Sequence, residues 1–223
     1  MLGRYGPQHW WPAETPFEVM VGAVLTQNTA WGNVERAIAN LKRADLLDAA
    51  AIHHSPRAAL ARHLRPSGYF NVKARRLADY CDWYLCQGGF ERLDELSTDA
   101  LREQLLSVRG IGPETADDIL LFAFGRRVFV IDAYTRRIFS RLGMIKGDES
   151  YDRLRDRFEG ALPPDPSLYN EYHALIVRHG KDVCRIRPDC GQCVLKSICP
   201  CAASTPGDCG LSTRQTGTPR GRG

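Results

Sequence analysis

Four cysteines near the end of the chain, Cys184, Cys190, Cys193 and Cys199, are separated by five, two and five residues. Four thiolates in so short a stretch can enclose one metal centre. A 4Fe–4S cluster takes four cysteines, and so does structural zinc. Zinc ribbons use two Cys-x2-Cys knuckles and only one is present here, which favours iron–sulfur over zinc. Cys201 and Cys209 lie beyond this loop, while Cys81 and Cys86 sit in helical patterns. Residues Met1 to Trp11 show no basic segment followed by an apolar one, so no signal peptide is expected. Clustered cysteines in such a chain suggest metal ligation before disulfides.

Three further segments carry chemistry. Val108-Arg109-Gly110-Ile111-Gly112 lies between two helical patterns, and Pro113 opens the second. Two glycines two apart allow a hairpin with positive φ and no side chains in the way. Backbone N–H groups there, including Ile111 and the first turn that holds Thr115, can cradle a phosphate without reading base sequence. A plain turn between two helices uses the same residues. Asp132 follows the apolar run Val128 to Ile131 at a helix start. It reads either as an N-cap or as a desolvated carboxylate able to activate water and stabilise a developing cation. Trp10 and Trp11 precede the first long helix, and Gln27, Asn28 and Trp31 follow it. Indoles beside amides can stack an extruded base, although core packing is the ordinary use of tryptophan.

The elements that must position these groups are helices. Thr15 and Pro16 open a segment in which Phe17, Met20, Val21, Val24 and Leu25 repeat at helical spacing. Helices are expected over 33–42, 45–52, 56–64, through Leu77 to Leu85, over 98–106, from Pro113 to Gly125, from Asp132 through Leu142, and from Leu168 to His179. The β-branched run before Asp132 is too short for a sheet and reads as a buried connector. The 223 residues are 43% hydrophobic and 25% charged, with a net charge of +4. That composition fits one or two globular domains, excludes a chain disordered throughout, and permits a polyanionic partner. No run approaches the length of a membrane span. Residues 201–223 are rich in Gly, Ser, Thr and Pro and are expected to be disordered.

Taken together, these motifs resemble the endonuclease III superfamily of helix-hairpin-helix DNA glycosylases, from about Trp10 to Cys199. The resemblance implies an all-α, two-lobed fold with a DNA cleft between the lobes. One lobe, residues 16–126, would be a six-helix bundle containing the hairpin. The other would join 1–15 to 127–200 and carry the iron–sulfur loop. It implies that Asp132 is the catalytic aspartate, that Val108, Gly110, Ile111, Gly112 and Thr115 contact DNA, and that Cys184, Cys190, Cys193 and Cys199 hold a 4Fe–4S cluster, with zinc as the alternative. The first gap between these cysteines is one residue shorter than in the best-known endonuclease III pattern. Arg185, Arg187 and Lys196 of that loop are candidate phosphate contacts, with a merely solvated basic loop as the alternative.

Bifunctional members of the family carry a lysine eighteen residues before the aspartate, where this chain has Glu114. A carboxylate cannot form the Schiff base that drives strand cleavage. The similarity is closer to the 3-methyladenine DNA glycosylase branch, in Trp10-Trp11-Pro12, in Ala23 to Thr29, in Arg65 to Tyr69 and in the glutamate at 114. It implies a monofunctional enzyme that removes N-alkylated purines from double-stranded DNA and leaves an abasic site. Trp10, Trp11, Trp31, Gln27 and Asn28 would form the base pocket, and Glu114 is a candidate second catalytic group. A monomer acting in the cytoplasm on the chromosome, without a membrane partner, is expected. Two alternatives stand beside this reading: a bifunctional glycosylase/lyase for oxidised pyrimidines, and a non-catalytic DNA-binding module with a structural metal.

Overall fold

The computed structural model describes residues 1–203. Among them all regular structure is helical. Helices are present at the expected places, with longer ends at Trp31–Arg43, Phe70–Cys86, Thr98–Ser107 and Pro166–Asp182, while the one expected over 45–52 runs instead from Ala49 to His54 behind the N-cap Asp48. Helices Leu2–Tyr5, Gly89–Asp94 and Tyr151–Ala161 were not legible as apolar patterns. The last of these buries only Leu154 and Phe158, so its apolar stripe is two residues wide. Of the segment expected to be disordered, residues 201–203 belong to the helical turn Pro200–Ala203, and residues 204–223 lie outside the described residues.

Contacts group the chain into two compact units. The larger comprises Gln8–Ile131 and Tyr151–His173. The smaller comprises Met1–Pro7, Asp132–Ser150 and the described residues from Ala174 onward. Residues 8–15, 127–131 and 151–173 group with the hairpin-bearing part of the chain.

The larger unit is built round the helix Pro16–Thr26. Every residue from Glu18 to Leu25 is buried. The sequence pattern pointed to one apolar face, but this helix is covered on all sides, as a central helix must be. Each fully buried Val, Leu or Met contributes about 1.5–3 kcal/mol of hydrophobic stabilisation. Thr15 caps the helix by accepting the Glu18 N–H at 3.1 Å. Glu18 itself is buried, so its carboxylate is matched by Lys42 Nζ at 3.0 Å and by the Glu14 N–H at 3.0 Å.

The run Val128 to Ile131 is buried, and among the described residues it pairs with no strand. Side chains satisfy its backbone instead. The Phe129 N–H donates to Glu159 Oε1 at 2.8 Å, and the Ile131 N–H donates to the Tyr151 hydroxyl at 3.3 Å. This is how a buried connector meets the demand that buried amides be paired. Burial raises the pKa of the Glu159 carboxyl and that of the Tyr151 phenol.

Within the smaller unit the helix Ala133–Arg141 supports the cysteine loop. Arg137 donates to Gly180 O and to Cys184 O, each at 2.8 Å. Arg141, itself buried, donates to Arg185 O at 2.6 Å and to Ile186 O at 2.9 Å. Two guanidinium groups thereby replace the regular ladder that this irregular segment lacks.

Candidate active site

The hairpin begins where helix Thr98–Ser107 ends. The Ile111 N–H closes the turn on Val108 O at 3.0 Å. Gly110 has φ +91, a backbone region that favours glycine, and a Cβ at this position would meet Arg76 Cγ at 2.8 Å. Gly112 behaves differently. Its φ is −97 and it serves as the extended N-cap of helix Pro113–Asp118. Only one of the two glycines therefore uses positive φ.

That second helix is short because it widens into a π-turn over Ile119–Ala123. Wide turns of this kind are frequent at functional sites. Asp117 on the helix is fully buried and pairs with Arg102 Nε at 2.7 Å. Arg155 Nη1 approaches the other Asp117 oxygen at 3.8 Å, and Arg102 also bonds Asp152 at 2.8 Å. Burial pushes the pKa of the Asp117 carboxyl up, while the bonds from Arg102 and the charge of Arg155 oppose that rise. The network ties the two hairpin helices to helix Tyr151–Ala161.

The aromatic residues converge. Trp11 lies edge-on to Trp31 with centroids 4.9 Å apart, and Trp10 is 5.7 Å from Trp31. Phe122, from the π-turn, stands 5.2 Å from Trp11. Trp31 donates its indole N–H to Glu35 at 2.8 Å. Trp11 rests against the backbone of the central helix at Gly22, where a Cβ would come 3.0 Å from Trp11 Cζ2. All three indoles are half-buried, and Trp11 and Trp31 pack against the hydrophobic core. Phe122 was not anticipated. Its period-breaking position after an ordinary helical pattern left no sequence signal.

Gln27 is also half-buried, and its carboxamide is engaged at the hairpin: Nε2 donates to Gly110 O at 3.1 Å and to Thr115 Oγ1 at 3.0 Å. Asn28 is exposed with φ +55. Glu114 is exposed in the first turn of the second hairpin helix.

In the smaller unit Asp132 is 9% exposed and is the N-cap of helix Ala133–Arg141, with Oδ1 accepting the Thr135 N–H at 2.7 Å.

The cysteine loop follows helix Pro166–Asp182. Successive turns bring Cys193 N–H to Cys190 O, Lys196 N–H to Cys193 O and Cys199 N–H to Lys196 O, at 3.4, 3.2 and 3.4 Å. All four cysteines are half-buried free thiols. Arg141 Nη1 lies 3.3 Å from Cys184 Sγ, the Cys199 thiol points at Arg141 O at 3.5 Å, and Cys193 Sγ is 3.5 Å from His179 Nε2. Burial raises the Cys193 pKa, and charge on Cys184, Cys199 and Cys190 raises it too. Among the described residues, no three donors close to a metal-holding geometry. The donor chemistry, soft thiols beside buried arginine charge, fits a thiophilic centre. Arg185, Arg187 and Lys196 are exposed on the same loop.

A family model described as the HhH-GPD superfamily base excision DNA repair protein matches residues 21–164. The chain belongs to this superfamily. As an HhH-GPD protein it is a DNA glycosylase of base excision repair. Among curated relatives, the "Putative DNA repair glycosylase" of Methanocaldococcus jannaschii is 48% identical over 202 residues, which is 89% of this chain and 92% of that protein. Among solved structures, the H. pylori 3-methyladenine DNA glycosylase bound to 1,N6-ethenoadenine is 34% identical with a TM-score of 0.71, covering 81% of this chain and 91% of that one. A non-covalent endonuclease III–DNA complex aligns with a TM-score of 0.78 at 21% identity over 91% of each chain and shares the fold. The expected superfamily and all-α class both stand. No helix among the described residues is long and apolar enough to cross a membrane.

Proposed function

We propose that this HhH-GPD protein is a monofunctional DNA N-glycosylase that removes N-alkylated purines of the 3-methyladenine type. The observation that carries this reading is the group of three half-buried indoles, Trp10, Trp11 and Trp31, in a chain 34% identical to a 3-methyladenine DNA glycosylase. An N-alkylated purine is cationic. Electron-rich rings favour it over a neutral base by about 0.5–2 kcal/mol per contact.

The chemistry asks little of the protein, because the base leaves as a neutral purine. The C1′–N bond breaks and its electron pair departs with the base. Asp132 stabilises the oxocarbenium-like sugar through its carboxylate. Its N-cap bond uses Oδ1, and Oδ2 is the oxygen assigned here to orient the attacking water. Water adds to C1′ and gives up a proton, leaving an abasic site. Glu114 has no amine with which to form an imine, so the reaction stops there.

The hairpin Val108 to Gly112 holds the DNA backbone, and Arg185, Arg187 and Lys196 add positive charge. Cys184, Cys190, Cys193 and Cys199 are the ligands for a 4Fe–4S cluster. When bound, it supplies a structural cross-link and a redox-active centre and takes no part in hydrolysis.

The test is product analysis on duplexes carrying 3-methyladenine, 7-methylguanine, thymine glycol or a T·G mismatch, each run with and without hot alkali. Breaks at alkylated purines only after alkali are expected. Breaks at thymine glycol without alkali, with borohydride trapping of the protein on DNA, would identify a lyase. No excision of any lesion, with duplex binding intact, would leave a binding module.

A further inference from the structure

Gln27 stands directly after the central helix Pro16–Thr26, as its C-cap. A carboxamide has two N–H donors and one carbonyl acceptor group. Here Nε2 bonds both sides of the hairpin. One bond goes to Gly110 O in the turn, at 3.1 Å, and the other goes to Thr115 Oγ1 in the first turn of the second helix, at 3.0 Å. The carbonyl end is held in turn, because Oε1 accepts from Arg76 Nη1.

Arg76 does more than fix the amide. Its stem fills the space that a Cβ on Gly110 would take. One turn earlier on the same helix, Lys73 Nζ donates to Leu25 O at 2.8 Å and to Ser67 O at 2.6 Å. Helix Phe70–Cys86 therefore presents two cations to the junction between the central helix and the hairpin. Lys73 fixes the end of the central helix, and Arg76 fixes the amide that reaches from it. Thr115 is 6% exposed, so its hydroxyl belongs to this junction and not to the surface presented to solvent.

We propose that Gln27 is a positioning residue for DNA binding: with Arg76 it braces the hairpin turn in its binding conformation, and it does not contact the extruded base. This rests on the hairpin's role as the DNA grip in the reading above. Gly110 is the positive-φ residue of the turn, and its carbonyl orientation is coupled to the adjoining Ile111 N–H through the shared peptide plane. Holding that carbonyl therefore fixes the peptide plane whose N–H closes the turn on Val108 O at 3.0 Å, and with it the shape of the turn presented to DNA.

The experiment compares Gln27→Met, which keeps the stem and removes the donors, with Thr115→Val, which removes one acceptor from the other side. Three quantities are read on each: affinity for undamaged duplex, single-turnover excision rate at saturating enzyme, and hydrogen exchange of the Ile111 amide. With Gln27→Met the dissociation constant should rise about tenfold, since the two bonds to the hairpin and the one from Arg76 are all lost. The saturating rate should stay within twofold, and Ile111 exchange should speed up. Thr115→Val should show a smaller loss that largely disappears in the double variant, because both act on one contact. Unchanged duplex affinity together with a fall in the saturating rate would overturn the proposal and place Gln27 on the base. Unchanged affinity and unchanged exchange in both variants would overturn it too. If Gln27→Met does not fold, Thr115→Val carries the same decision alone. If the wild-type protein excises no alkylated purine, the substrate reading fails, while the affinity and exchange arms still decide the brace.

Discussion

Lys73 is 1% exposed, and its ammonium donates to the carbonyls of Leu25 and Ser67 with no carboxylate hydrogen-bonded to it. Burial, with the Arg76 charge adding, pulls its pKa from 10.5 down to about 8. Replacing it with Met separates two opposed effects. Both carbonyls lose their donor, at a cost of about 1–2 kcal/mol each. Against this, the variant no longer has to desolvate an ammonium. Each unit by which the folded pKa falls below the unfolded one is equivalent to about 1.4 kcal/mol at neutral pH. A fall from 10.5 to about 8 therefore offsets roughly 3 kcal/mol, most of the loss.

The sign follows from proton counting. Between about pH 8 and 10.5 the unfolded chain keeps this proton and the folded chain has released it. Wild-type stability therefore gains from this group as pH rises through that window, and Lys73→Met does not share the gain. The neutral amine still donates to both carbonyls, so the bonds survive deprotonation. The variant should thus lie within about 1 kcal/mol of wild type at pH 7 and be about 1–3 kcal/mol less stable near pH 10. Urea unfolding of both proteins at pH 7, 8, 9 and 10 reads this directly, since tyrosines titrating at the top of the range are common to both and cancel. A stability difference that stays flat or narrows across the window would show that the folded-state ammonium keeps an ordinary pKa, and the reasoning would fail.

Asp132→Asn should keep the helix cap, since asparagine caps as well as aspartate, while single-turnover excision falls at least about a hundredfold with duplex binding retained; normal excision would remove Asp132 from the chemistry. Asp117→Ala leaves Arg102 and Arg155 without their buried partner and should cost about 3–5 kcal/mol, read as a fall in Tm of roughly 6–20 °C. Gly22→Ala would drive a methyl group to 3.0 Å from the Trp11 ring, and a shift in tryptophan emission with weaker binding of alkylated duplex is expected while affinity for undamaged duplex holds. Protein purified without oxygen should absorb near 400 nm and contain iron, and Cys193→Ser should lose both; a colourless protein containing zinc would assign the loop to the other metal.

The candidate site residues stand out in sequence because each belongs to a local pattern. The Cys184 to Cys199 spacing, the Gly110-Ile111-Gly112-Pro113 turn and the acid after Val128 to Ile131 are all short-range features. So do most helices, whose apolar residues recur at a period set by backbone geometry, and the Thr15 and Asp132 caps, where a side chain bonds its own backbone three residues on. Position 114 speaks against an imine on residue type alone.

What tertiary structure decided lies where long-range packing overrides local pattern. The central helix is buried all round because other helices surround it, which no single period reveals. The π-turn brings Phe122 to Trp11 although nothing local marks it. Gly112, read as a positive-φ residue, is an extended cap because only Gly110 closes the turn. Gln27 looked like a pocket amide beside Asn28. Its partners Gly110, Thr115 and Arg76 are 83, 88 and 49 residues away in sequence, and a hydrogen bond needs its donor and acceptor about 3 Å apart in space whatever their separation along the chain.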